Sequence, residues 1–208
     1  MTITVHHLNN SRSQRILWLL EELGADYEIE SYQRDAETNL APESLNQVHP
    51  LGKSPVIEDK GRVISESGAI VEYLCERHGG ASWLPARDSD AWIDHLEWMQ
   101  FAESSFFVPV MLKLYAGRLG DAAAPIMPRI TEQLTAHVTY AEKALTGGLH
   151  FVGDDWSAAD VMMSFPAEIA VMQGLAPQGS KLNRFVKAVH ARAAWQRARE
   201  RGGDYFIW

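Results

Sequence analysis

The sequence predicts a two-domain protein of α+β/α class: a small domain built on a mixed four-stranded sheet, then an all-α domain. Three observations predict it. Over the first 80 residues the hydrophobic period switches between two and 3.6, in the order β-α-β and then, after an irregular stretch, β-β-α. Beyond about residue 90 the strand signals nearly vanish and helical spacing runs on. Between these regions residues 81–89, ASWLPARDS, read as a linker. The expected domains are therefore residues 1–80 and 90–208.

Taken in order, Thr2 to His7 is short and rich in β-branched residues, as a strand is. Asn9-Asn10-Ser11 supplies turn and cap chemistry, and Ile16, Leu17, Leu19, Leu20 and Leu23 then recur at helical spacing until Gly24. Tyr27 to Tyr32 alternates as a second strand. Residues 35–48 are mixed and predict a loop carrying a short helix. Pro55-Val56-Ile57 and Arg62 to Ile64 flank Asp59-Lys60-Gly61, a hairpin signal. Ile70, Val71, Tyr73 and Leu74 restore the helical period, which ends at Gly79-Gly80. A helical crossover favours parallel pairing and a tight turn favours antiparallel pairing, so the sheet is expected to be mixed. Helices are predicted over about 90–116, 124–146, 157–173, 181–191 and 194–201.

Composition excludes several functions. With 46% hydrophobic and 22% charged residues the chain can bury a core and is not disordered. Its formal net charge of −8 opposes general nucleic-acid binding, which needs a basic stripe. Cys75 is the single cysteine, so intrachain disulfides, a CxxC pair and a multi-cysteine zinc site are excluded. His6 and His7 point to opposite faces of a strand, and the other histidines form no helical H-x-x-x-H pair, so no metal is expected. Cys75 falls on an apolar-periodic helix and reads as a small buried residue. The opening MTITVHHLNN matches no signal peptide, and no apolar run approaches the ~20 residues of a membrane span. The expected setting is the cytoplasm, with no membrane partner.

Three places carry polar chemistry. Asn10-Ser11-Arg12 gathers amide, hydroxyl and guanidinium groups at a helix N-terminus, where unpaired N–H groups already favour an anion. His49-Pro50-Leu51-Gly52-Lys53-Ser54-Pro55 leads into a strand, and Pro55 fits only at its first or edge position. A cis Ser54–Pro55 bond would turn the chain and present the Ser54 main chain to an extended peptide. Ser65-Glu66-Ser67 precedes the third helix, with Ser67 as expected N-cap and anion cradle and Glu66 placed to hold an ammonium group. Each feature alone reads equally as a cap or a turn. In the second half, Trp156-Ser157-Ala158-Ala159-Asp160-Val161 contains a capping box and a hydrophobic staple. Asp160 is therefore read as structural.

The order and spacing of these features resemble the cytosolic glutathione transferases. Lys53-Ser54-Pro55 stands where that family carries its cis-proline segment. Glu66-Ser67, Ala69-Ile70 and Tyr73-Leu74 match its E-S-x-A-I-x-x-Y-L motif. Ser11, four residues before Arg15, falls where the serine-type bacterial and fungal members carry their hydroxyl. The resemblance covers nearly the whole chain and implies a thioredoxin-like first domain with a glutathione site. In that reading Glu66 and Ser67 bind the γ-glutamyl end, the Ser54 backbone pairs with the cysteinyl unit, and Lys53 sits near the glycyl carboxylate. Ser11 would donate to the thiolate. Arg12 is unusual directly after it, so Asn10 or Arg12 would share or replace that task. The resemblance also implies an electrophile pocket, for which Phe106 and Tyr115 are the candidates, with Glu103 reaching a partner subunit and Tyr205-Phe206-Ile207-Trp208 as a lid.

The implied activity is transfer of the glutathione sulfur to a small hydrophobic electrophile by a homodimer, with glutathione as co-substrate and no resident cofactor. A peroxidase, isomerase or dehalogenase on the same scaffold is the second reading. A non-catalytic glutathione-binding module is the third.

Overall fold

In the computed structural model, which describes residues 2–145, 149–203 and 205, the β-branched opening forms β1 (Ile3–Leu8). The apolar run after the Asn-Asn-Ser turn forms α1 (Ser13–Leu23), closed by Gly24 at φ 60°. There follow β2 (Tyr27–Tyr32), a one-turn helix α2 (Leu45–Val48), β3 (Val56–Asp59), β4 (Arg62–Ser65) and α3 (Ser67–Arg77). The strands form one mixed sheet in the order β2-β1-β3-β4. β1 and β2 are parallel, while β1–β3 and β3–β4 are antiparallel. The hairpin turn is one residue tighter than expected, because Asp59 pairs with Arg62 as the last strand residue. Lys60 and Gly61, at φ 52° and 79°, make a two-residue turn whose twist matches the strands.

The chain divides into two compact units, Met1–Leu84 with Val189–Trp208, and Pro85–Ala188. The expected boundary at residue 90 did not include this return of the C-terminal segment. Its physical cause is the helix α9 (Ala193–Gly202), which packs on α1. Ile16, Leu17, Trp18, Leu19 and Leu20 of α1 are all fully buried, as a helix covered on every side requires. At the polar end of that helix, Glu21 accepts from Arg197, Arg201 and the Tyr27 hydroxyl, and Glu22 accepts from Arg192 and the Trp18 indole. Burial alone would raise the Glu21 carboxyl, but the donors Arg197, Tyr27 and Arg201 outweigh it and hold it below its usual value.

α9 also ends on β1. A Cβ on Gly202 would stand 2.8 Å from Leu17 Cδ1, 3.0 Å from Gln14 Oε1 and 3.3 Å from His7 Nε2, so any larger residue would have to push these buried side chains aside for α9 to come this close. His7 is buried between the Gly202 carbonyl, which accepts from its ring, and Ser13 Oγ, 2.8 Å from its Nδ1. His6 faces the other way, 3.0 Å from both the Tyr32 hydroxyl and Glu58 Oε1. On β3, Asp59 accepts at 2.8 Å from the Tyr73 hydroxyl and lies 2.8 Å from His78 Nε2. The tyrosine of the third-helix motif thus ties α3 to the hairpin. Cys75 is buried, and burial with Glu72 and Glu76 nearby pushes its thiol up to about 12.

The second unit is helical: α4 (Asp90–Glu103), α5 (Phe107–Gly117), α6 (Met127–Ala144), α7 (Ala158–Met172) and most of α8 (Lys181–Ala191). The single helix expected over 90–116 is two. Pro109 is the reason: in a continuous helix its ring would strike the Ser105 carbonyl, but near the start of α5 it is tolerated. Ser104 Oγ donates to the Gln100 carbonyl at 2.7 Å and helps end α4. α7 begins at the expected capping box, where the buried Asp160 carboxylate accepts from Phe151 N, Ser157 N and Ser157 Oγ at 2.8–2.9 Å. No helix among the described residues is long and apolar enough to cross a membrane.

Two outcomes follow from these contacts. Asp160→Ala strands two buried N–H groups and should cost about 3 kcal/mol of stability, seen as a lower urea midpoint. His7 is the second case. Burial, partly offset by the Gly202 carbonyl, lowers it from 6.5 to about 4. The unfolded chain therefore binds the extra proton between those values, and stability falls as pH drops through that window. Urea titrations should show about 2 kcal/mol less stability at pH 5 than at pH 7 from this group, a difference absent in His7→Leu.

Candidate functional site

The β1–α1 turn is shaped by its neighbours on β2. Asn9 N donates to the Tyr32 carbonyl at 3.0 Å, and Asn9 Oδ1 accepts from Arg34 N at 2.8 Å. The Arg34 guanidinium then donates to the carbonyls of Asn9, Asn10 and Asn39 at 3.2, 3.4 and 3.0 Å. Asn10 takes the left-handed conformation at φ 51°, tolerated by Asn more than by most residues. Ser11, 5% exposed, accepts from Ser13 N at 3.2 Å, and its Oγ lies 2.8 Å from Ser13 Oγ. Ser11 is not the N-cap in position; Arg12 is, yet the Ser11 oxygen still satisfies a first-turn N–H.

The second feature is bound to the same strand. The Ser54–Pro55 peptide bond is cis, and Ser54 is buried. Its hydroxyl donates to the His6 carbonyl at 2.8 Å and accepts from Leu8 N at 3.3 Å, extending by a side chain the β1–β3 pairing that stops at His6 and Val56. Leu8 is a shared anchor, since its carbonyl also lies 3.3 Å from Ser13 Oγ. Lys53 is exposed.

The third feature adjoins the second through the hairpin, where Ser65 pairs with Val56. Glu66 then turns the chain at φ 68° and occupies the N-cap position of α3. The expected cap was Ser67; it is instead the first helical residue, buried, because the helix ladder starts from the Glu66 carbonyl to Ile70 N at 2.9 Å. A non-glycine residue at such a φ is uncommon and clusters at binding sites. The Glu66 side chain is exposed.

Charge closes the triangle. Burial lowers the Arg12 guanidinium from its ordinary value, and the Glu66 carboxylate pulls it back. Arg34 is lowered by burial and by the Arg12 charge. Asn10-Ser11-Arg12, Ser54-Pro55 and Glu66-Ser67 are therefore joined through Leu8 and His6, through the Val56–Ser65 pair, and through Arg12 and Glu66. Such a rim of two guanidinium groups, one carboxylate and a helix N-terminus suits a zwitterionic ligand that carries an anionic centre. Beside it lies a cleft of about 1060 Å³ lined by Asn9, Asn10, Gln33, Trp195, Arg199 and Tyr205 among others.

Sequence reasoning missed Arg34 and the α9 wall. Arg34 stands outside any motif, and its importance rests on two carbonyls of the turn, Asn9 and Asn10, and a third at Asn39. In the helical unit, Phe106 is fully buried, with its ring centroid 5.8 Å from that of Phe101. Tyr115 is 56% exposed, with the Arg118 guanidinium 5.6 Å from its ring centroid, so the structure does not bring these two together as one lining. Of the suggested lid, Tyr205 is buried, and Phe206, Ile207 and Trp208 lie outside the described residues. Among the described residues no group of three or more His, Cys, Asp or Glu could hold a metal ion.

The chain resembles known proteins over nearly its whole length. Residues 1–76 match the family model "Glutathione S-transferase, N-terminal domain". The chain is 33% identical to glutathione S-transferase 3 of Schizosaccharomyces pombe, over 97% of this chain and 88% of that one. It is 26% identical to glutathione S-transferase 1 of Saccharomyces cerevisiae, over 96% and 94%. A crystal structure of a glutathione S-transferase from Actinobacillus pleuropneumoniae superposes with a TM-score of 0.87 at 32% identity, covering 99% of this chain and 95% of the other. A sphingomonad glutathione S-transferase complexed with glutathione shares the fold, with a TM-score of 0.78 at 22% identity over 96% and 98%. A thioredoxin-like mixed sheet followed by a helical unit, the motifs carried on it and these likenesses together place the chain in the glutathione S-transferase family.

Proposed function

We propose that the protein is a cytoplasmic glutathione transferase that lowers the pKa of the bound thiol and directs the thiolate at a small hydrophobic electrophile. The observation that carries this reading is the convergence of Asn10-Ser11-Arg12, Ser54 and Glu66-Ser67 around one turn. In the proposal Glu66 and Ser67 hold the γ-glutamyl end, where the exposed carboxylate meets the ligand's ammonium group. The Ser54 main chain pairs with the cysteinyl unit as a strand edge does. Lys53, free to swing at the surface, takes the glycyl carboxylate.

The sulfur then lies toward the N-terminus of α1. A free thiol ionises near pH 8.5, so at neutral pH it is a few per cent thiolate. The positive end of α1 and the Arg12 guanidinium each favour the anion, and Asn10 and Ser11 supply neutral polar groups beside it. Each pKa unit of lowering corresponds to about 1.4 kcal/mol and, at fixed pH, to nearly tenfold more nucleophile. Holding the thiolate beside its acceptor adds proximity to activation. A homodimer is proposed as well, supported by the apolar surface that Ile93, Leu96, Val108 and Leu112 leave exposed on α4 and α5.

Calorimetry with glutathione, followed by a broad electrophile assay, tests the reading. Binding with turnover supports a transferase. Binding without turnover supports a non-catalytic module, and turnover of peroxides or halides alone supports the second enzymatic reading. Two variants separate binding from scaffold. Glu66→Ala should weaken glutathione about tenfold or more, as loss of a charge-assisted bond does, with a far smaller change in kcat. Ser54→Ala, which loses two bonds to β1, should lower stability by about 1–2 kcal/mol in urea unfolding and leave glutathione affinity nearly unchanged.

A further inference from the structure

His7 is a buried titratable group with no part in the chemistry described so far, and it is wired to Ser11. Ser13 Oγ lies 2.8 Å from His7 Nδ1 and 2.8 Å from Ser11 Oγ, with the Leu8 carbonyl farther off at 3.3 Å. The directions of the hydrogens can be assigned by counting donors. A carbonyl only accepts, so the His7 nitrogen that faces Gly202, Nε2, carries the ring hydrogen. In a neutral ring Nδ1 is then a bare acceptor. Ser13 owns a single hydroxyl hydrogen, and the nearer acceptor, Nδ1, takes it. The 2.8 Å contact between the serines can then be a hydrogen bond only if Ser11 donates to Ser13. Ser11 Oγ meanwhile accepts from Ser13 N at 3.2 Å.

We propose that His7 and Ser13 are positioning residues that hold the Ser11 hydroxyl hydrogen turned inward, so that Ser11 offers a bound thiol a lone pair rather than a hydrogen. The inference rests on the glutathione reading of the site and narrows it. Stabilisation of the thiolate then falls to Asn10, Arg12 and the helix N-terminus, and Ser11 serves by shaping the turn. The wiring persists at physiological pH because burial keeps His7 neutral there; its value is pushed down to about 4. The groups around the ring are Ser13 and Gln14 of α1 and the Gly202 main chain of α9, with Ser31 of β2 as its neighbour across the sheet. All of them are uncharged. No net proton transfer is involved, only the rotation of two hydroxyl groups.

The test is the pH titration of thiolate absorbance in the glutathione complex of wild type, Ser11→Ala, Ser13→Ala, His7→Leu and the double variant Ser11→Ala/Ser13→Ala. Loss of Ser13 frees the Ser11 hydrogen to turn to the sulfur, so Ser13→Ala should lower the bound thiol pKa by about one unit, roughly tenfold more thiolate at fixed pH below it. His7→Leu removes the acceptor of the Ser13 hydrogen and should shift the pKa in the same direction, which carries the test if Ser13→Ala fails to fold. Ser11→Ala removes a lone pair rather than a donor and should not raise the pKa, and the double variant should match Ser11→Ala, without the gain that needs the freed hydrogen. A raised pKa in Ser11→Ala, or none lowered in Ser13→Ala and His7→Leu, overturns the proposal. Folded wild type that takes up no glutathione overturns the site reading instead. The wiring is then judged by nitrogen NMR of the His7 ring at pH 7. The neutral form protonated at Nε2 supports it, and protonation at Nδ1 or on both nitrogens overturns it.

Discussion

The carboxylates of Glu21 and Glu22, met by three arginines, hold α9 against α1, and much of the first unit depends on that contact. Arg197 and Arg201 donate to Glu21 and Arg192 to Glu22, while the Arg201 guanidinium also lies 3.7 Å from the centroid of the Tyr27 ring. The two carboxylates are largely covered while Arg197 and Arg201 stay exposed, so each carboxylate gains charged donors without burying them. The contact covers the far face of α1, whose Ile16 to Leu20 are all fully buried. It also carries Gly202 to His7, and through His7 reaches Ser13 and the turn at Ser11. A helix from the far end of the sequence thus reaches the candidate site through the proposed chain from His7 to Ser13 and Ser11.

The site itself is made of short connections. Leu8 gives its N–H to Ser54 and sets its carbonyl 3.3 Å from Ser13 Oγ, so one strand terminus touches two separate segments. Val56 and Ser65 bring the third loop alongside. Little side-chain freedom remains at these anchors, which is what precise placement of a reacting atom needs. Two charged groups, Lys53 and Glu66, are left exposed at the rim, where a ligand can reach them.

Much of this was legible in the sequence, and particular residues show why the rest was not. The four strands, the crossover and the hairpin followed from periodicity and from Lys60-Gly61. The capping box at Ser157 and Asp160 followed from four letters, because it is a local device. Ser67 was misplaced by one position, since Glu66 adopts a left-handed φ that no propensity favours and that the surrounding fold imposes. The division of the helix at Ser104–Phe106 was present in Pro109 but was masked by a strong apolar run. Arg34, Glu21 and the arginines that meet α1 were invisible, because most of their partners lie 24 to 180 residues away and no local pattern encodes such distances. Ser54 shows the same limit: its backbone was assigned a role, while its hydroxyl, bonded to β1, was passed over.

The return of α9 has a consequence for how the protein comes into being. During synthesis the sheet and α1 leave the ribosome long before their last layer exists, for the arginines that cap α1 are made 170 to 180 residues after the glutamates they bind. Until then the apolar flank of α1 stays uncovered while the intervening helices are still being translated, and contacts of such long sequence separation are slow to form. The nascent first unit must spend that interval unfinished, a natural client for a chaperone that shelters greasy surfaces.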